Sequence, residues 1–307
     1  MFTRLLTTVS IPVLLGAAAC TAEPSGVEEK SAAVEVCSED DPADACEYVG
    51  LTGLQTAIDA SSPGDQIMMQ AGTYRPVSYR DVPFQELQVR GAVVIGGKTL
   101  EIVAEPGARI SGSADFPSSA LVIEDSTVQI TGLTISGFHY AEAEDDIYDG
   151  HGIFTINSDV TLNSVTIERV AKMALTGRED GRITAKNLVI DHSHLGVWLE
   201  ETATIDMTDS QIIFSESAAV AAYGNASAVV SDSVVESNQD DGLYTEDNAR
   251  IISRNSALLD NSPFGARAAG NSLITVCGGS ISGNAEAFGE EEAGRVIHDD
   301  GEACKPV

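Results

Sequence analysis

The chain has 307 residues and a formal net charge of −30, from 17 basic and 47 acidic side chains. That balance repels phosphate backbones and excludes nucleic acid as a partner. It suits a soluble extracytoplasmic protein, a cationic partner or divalent cations.

The opening "MFTRLLTTVSIPVLLGAAAC" reads as a signal peptide over residues 1–19. Arg4 supplies the positive end and Leu5 to Leu15 an apolar stretch too short for a stable membrane span. "GAAAC" resembles a bacterial lipoprotein cleavage site, which makes Cys20 the lipidated first residue of a membrane-anchored protein. Ala17 stands where Leu is usual, and a plain Ala-x-Ala cleavage is the rival reading. Residues 20–36 are polar, acidic and small, and are expected to be a flexible tether.

Four further cysteines remain: Cys37, Cys46, Cys277 and Cys304. An even number in an exported chain predicts disulfides. Of three pairings, proximity favours Cys37–Cys46 and Cys277–Cys304, one near each end of the folded body.

The segment "LTGLQTAIDASSPGDQIMMQAGTYR" opens that body. Thr52 and Gln55 have the spacing of a capping box, Leu54, Ala57 and Ile58 make one apolar helical face, and "SSPGD" ends the helix. "QIMMQ" reads as a strand and "AGTY" as a turn. This order of short helix, "PGD", apolar strand and "GTY" resembles the start of right-handed parallel β-helix proteins of the pectate-lyase-like superfamily. The resemblance covers residues 50–288. It implies an all-β solenoid whose first coil is capped by the helix. It does not imply an activity, because that fold hosts lyases, hydrolases, epimerases and non-catalytic surface proteins.

From Leu121 to about Asn284 the chain repeats every 22–23 residues. Small–apolar pairs mark the period: Gly152-Ile153, Ala174-Leu175, Gly196-Val197, Ala219-Val220, Gly242-Leu243 and Gly265-Ala266. A unit this short fits three strands joined by turns, stacked as a parallel solenoid. The β-helix is expected over 37–288, with an acidic tail over 289–307. Residues 141–150 are an acidic insertion, and Asn238, Asn261 and Asn284 are expected to form a structural asparagine ladder at one corner.

If the second member of each pair points inward, the next position points outward. One outer column then reads Val122, Phe154, Thr176, Trp198, Ala221, Tyr244 and Arg267. Two residues on it reads Ile156, Arg178, Glu200, Tyr223, Glu246 and Ala269. Exposed rings alternating with carboxylates and guanidinium groups are what a sugar chain needs: flat C–H faces stack on rings and hydroxyls pair with charges. Phe154, Trp198, Tyr244, Arg178, Glu200, Glu246 and Arg267 are therefore the candidate ligand-binding residues.

Two enzymatic alternatives use the same face. A polysaccharide lyase needs a base beside a uronate and a cation on its carboxylate, for which Lys172 and Arg178 are candidates, although the acidic field opposes an anionic polymer. A glycoside hydrolase needs two carboxylates, and Glu200 and Glu246 sit two coils apart, about 9.6 Å between backbones. "GHG" at 150–152 and "QDDG" at 239–242 resemble polygalacturonase fragments, but in reversed order and without that family's other elements. In the insertion, Asp145, Asp146 and Asp149 are candidate calcium ligands, at a spacing that matches no defined calcium loop. No histidine has zinc-like spacing. The expected function is non-catalytic carbohydrate binding or surface adhesion by a monomeric, lipid-anchored protein of the outer membrane or cell surface.

Overall fold

The computed structural model describes residues 33–40, 46–144, 147–299 and 304. Cys20 and the leader lie outside the described residues.

Each coil of the repeat carries three short strands. Val220–Ala222, Ser227–Ser231 and Val234–Glu236 are followed one coil later by Leu243–Thr245, Arg250–Arg254 and Ala257–Leu259. Every one of these pairs in parallel with its equivalent, for example Val220 with Leu243 and Val234 with Ala257. Among the named strands only the hairpin Arg80–Phe84/Leu87–Gly96 is antiparallel. Ile153, Leu175, Val197, Val220, Leu243 and Ala266 are each fully buried in one continuous core. The inward register read from the small–apolar pairs is the observed one. Full burial of such a side chain is worth about 1.5–3 kcal/mol, and a coil buries its own only against its neighbours.

The corners are held by side chains that repeat with the coils. Asn187, Asp209, Asp232 and Asn255 turn the chain with φ between 49° and 52°, a left-handed conformation that Asn and Asp tolerate through local hydrogen bonds. At another corner the asparagine ladder forms. The Asn238 amide donates to Asn261 Oδ1 at 2.8 Å, and the Asn261 backbone N–H donates to Asn284 Oδ1 at 2.8 Å. A serine ladder accompanies it: the Ser210 N–H donates to Ser233 Oγ at 3.0 Å and the Ser233 N–H to Ser256 Oγ at 3.2 Å. These bonds satisfy turn amides that would otherwise be buried without partners.

The helix Gly50–Ala60 lays Leu51, Leu54, Ala57 and Ile58 over the end of the core. The capping box is not formed. Val49 is the N-cap with no side-chain bond, and Thr52 already lies inside the helix. Gln55 instead pins the helix to the strand beside it, accepting from Val94 N at 2.8 Å and donating to Val94 O at 2.9 Å.

Both disulfides expected from proximity are present, Cys37–Cys46 and Cys277–Cys304. Three boundaries differ from the sequence reading. Ala33–Cys37 is not tether but a strand, paired with Asp65–Met69, because Val34 and Val36 alternate toward the core. "GTY" is a strand, Gly72–Tyr74, with Tyr74 buried and its hydroxyl donating to Val36 O and Gln70 O. The acidic tail begins as solenoid: Glu286–Glu290 and Arg295–His298 pair with the preceding coil. Phe288 and Val296 are the apolar groups those strands pack against the core, so hydrophobic alternation fades before backbone pairing does.

Candidate functional site

The outer columns exist as read. Phe154 pairs with Val122 and Thr176, Trp198 with Ala221, and Tyr244 with Ala221 and Arg267. What they face changes along the solenoid.

Over the early coils lies a flap. The hairpin of Arg80–Phe84 with the first half of Leu87–Gly96 leaves the coil, while Gly91 to Gly96 rejoin it against Ser119–Glu124, and Ile147–Tyr148 of the insertion adds a third strand against Gln88 and Val89. Val82, Phe84 and Val89 pack on Val122, Phe154 and Ile156 as a second apolar cluster. Phe154 points outward as expected but is fully buried, so it cannot stack on a sugar. This corrects its assignment: the flap has turned the outer face into core.

The insertion is tied to the flap. Asp149 is buried and accepts from the Ala141 N–H at 3.2 Å, with Arg90 3.6 Å away. Arg90 also holds Glu144 at 2.7 Å. Burial raises the Asp149 pKa against these partners. Its oxygens are thus engaged within the protein, while Asp145 and Asp146 lie outside the described residues. Beneath the insertion, His151 is fully buried with Nδ1 3.0 Å from Thr176 Oγ1. Burial pushes its pKa down to about 3, so the ring is neutral. The Lys172 ammonium stands 4.9 Å from the Tyr140 ring centre and 5.9 Å from that of Tyr148. Burial lowers its pKa, with Asp149 opposing.

Arg178 marks the flap's edge. Its guanidinium lies 4.8 Å from the Phe84 ring centre and holds Glu200 at 2.8 Å and Glu201 at 2.7 Å. Gln85, at the hairpin tip, donates to Glu201 at 3.1 Å. Arg178 is buried and met by two carboxylates, so it is a tie between flap and solenoid rather than a free cation for a uronate. Glu200, engaged by Arg178, is likewise not a free hydrolytic acid or base.

Past this edge the face opens. Ala221 stands between Trp198 and Tyr244 in the ladder, and its small side chain leaves room that Tyr223 fills. The Tyr223 ring is 5.0 Å from Trp198, tilted by 31°, and 5.7 Å from Tyr244, edge-on. The three half-buried rings rest on Leu195, Ala218 and Ala221 as a cluster separate from the core. Glu246 accepts the Tyr244 hydroxyl proton at 2.8 Å. Arg267 closes the far end, 4.6 Å from the Tyr244 ring centre, paired with Asp241 at 2.6 Å and Glu291 at 3.0 Å. Burial raises the Asp241 pKa to about 6 despite Arg267. Sequence reasoning placed Tyr223 in the column but passed over it as a site residue; the signal was an aromatic two positions after a column alanine.

Stacked coils of three parallel strands, with outer columns partly covered and partly open, define a parallel β-helix protein. The family described as right handed beta helix region matches residues 118–302, and the chain belongs to it. Comparison with curated protein sequences gives no match. Among solved structures the chain is similar to the pectate lyase Pel9A, with a TM-score of 0.57 and 12% identity over 88% of this chain and 78% of that one. It is less similar to an alginate lyase from Paenibacillus sp., with a TM-score of 0.48 and 12% identity over 86% of this chain and 99% of that one. It also aligns with PfbA, a surface adhesin of Streptococcus pneumoniae, with a TM-score of 0.41 and 13% identity over 81% of this chain and 74% of that one. At such identities the likeness is one of fold.

Proposed function

We propose that this is an exported β-helix protein that binds an extended glycan along the open part of its outer face. The observation that carries this reading is the strip Trp198–Tyr223–Tyr244, three half-buried rings in mutual contact with carboxylates on either side. Aromatic faces stack on sugar rings, and carboxylates accept from hydroxyls. Trp198 and Tyr244 are two coils apart, about 9.6 Å along the solenoid, close to a disaccharide repeat. Anchoring through a lipid on Cys20 would hold this face at the cell surface. Two disulfides fit an oxidising, extracytoplasmic setting.

The test is a glycan array followed by titration calorimetry of the wild type, Trp198→Ala and Tyr223→Ala. Binding in the wild type and a tenfold or greater loss in both variants is expected. Undiminished affinity in the variants would refute the assignment of the strip.

A further inference from the structure

The charges around the strip specify its ligand further, on the reading that the strip binds glycans at all. Each cation near it is already compensated. Arg178 is met by Glu200 and Glu201, and Arg267 by Asp241 and Glu291. His194, on the same strand as Trp198, has Nδ1 3.3 Å from a Glu216 carboxylate oxygen. Carboxylates are left over: among the described residues no basic side chain pairs with Glu246 or Asp240. Tyr223 stands in the ladder between Glu200 and Glu246, because its N–H donates to Leu199 O while Glu246 N–H donates to Ala222 O. The ring thus has a carboxylate one coil away on each side, in a chain whose net charge is −30.

A polyuronate would bring one negative charge per sugar into this field. A neutral glycan would stack on the rings and donate hydroxyls to the carboxylates, but would leave their negative charge uncompensated. An amine-bearing glycan uses both, since an ammonium is attracted to the face of an aromatic ring and to the carboxylates that flank it. We propose that the strip selects a cationic amino glycan, a polymer of hexosamines with free amines. The amines pair with Glu246 and Asp240, the carboxylates that no basic side chain engages, while the sugar faces lie on Trp198, Tyr223 and Tyr244. The diffuse acidic field adds long-range attraction that raises the rate of encounter and falls with salt.

The probes are a glucosamine hexasaccharide, its fully N-acetylated form, a galacturonate hexasaccharide and a lysine oligopeptide. Each is titrated calorimetrically against the full mature chain in mildly acidic buffer. The glucosamine hexasaccharide should bind, N-acetylation should weaken it tenfold or more, and added salt should weaken it further. Glu246→Gln should reproduce much of the loss with an unchanged thermal midpoint, and the galacturonate oligomer should not bind. If acetylated and free-amine oligomers bind alike and Trp198→Ala removes both, the glycan reading stands and the amine inference falls. If the lysine peptide binds as tightly as the amino sugar, the partner is a basic polypeptide and the inference falls. If no saccharide binds, both readings fall.

Discussion

The Arg178 guanidinium lies 4.8 Å from the centre of the Phe84 ring, and this contact divides the outer face into a covered part and an open part. On the covered side Phe154 is fully buried under Val82, Phe84 and Val89. On the open side Trp198, Tyr223 and Tyr244 remain half-exposed, beyond the flap's last contact, Gln85 with Glu201. One column of sequence-equivalent positions therefore carries two different energetic roles.

Stability should separate those roles. Phe154→Ala removes a large ring from a closed cluster and should cost about 3–5 kcal/mol. Trp198→Ala removes a half-exposed ring and one aromatic contact, and should cost about 1–2 kcal/mol. Urea unfolding of the two variants checks this. Equal losses, or the reverse order, would show that the flap does not cover Phe154 in solution.

Acid should destabilise the protein through His151. Its pKa is about 3 in the folded chain against an ordinary 6.5. Between those values the unfolded chain binds a proton that the folded chain refuses, so this contribution is complete above pH 6.5 and lost as pH falls toward 3. Asp241, raised to about 6 from 3.8 by burial, acts oppositely: its cost disappears as pH falls from about 6 toward 4. A comparison with His151→Gln isolates the histidine. Between about pH 6.5 and 4.5 the wild-type thermal midpoint should fall more steeply than that of the variant. Parallel curves would exclude His151 as the titrating group.

The two disulfides should contribute unequally. Cys37 and Cys46 are 9 residues apart, Cys277 and Cys304 27. Closing the longer loop removes more disorder from the unfolded chain, so Cys304→Ser should cost about 1 kcal/mol more than Cys46→Ser, each within about 2–4 kcal/mol. Thermal unfolding of the two variants under oxidising conditions decides the order.

Anchoring is tested by Cys20→Ser. On the lipoprotein reading, replacing this thiol should move the protein from the membrane pellet to the soluble fraction. A variant that fractionates with the wild type would leave the lipoprotein reading without support.

The sequence by itself determined the solenoid, because a coil of 22–23 residues must place the same residue type at the same angular position every time. The inward column, the Asn238–Asn261–Asn284 ladder and the outward column through Trp198 all follow from that period, since strand alternation converts position directly into direction. Proximity sufficed for the disulfides because each pair spans no more than about one coil. The helix cap was misread because Thr52 and Gln55 have box spacing, while Val49 begins the helix and Gln55 is drawn to the backbone of Val94, distant in sequence. Only the tertiary structure decided which outward residues meet solvent. Periodicity gives a residue's direction and not what lies above it, and the flap comes from irregular segments outside the repeat, residues 80–90 and 147–148. It also decided that Tyr223 belongs to the strip, because the contact depends on the space left by Ala221, two residues earlier in the neighbouring outward column, a relation of volume rather than of spacing.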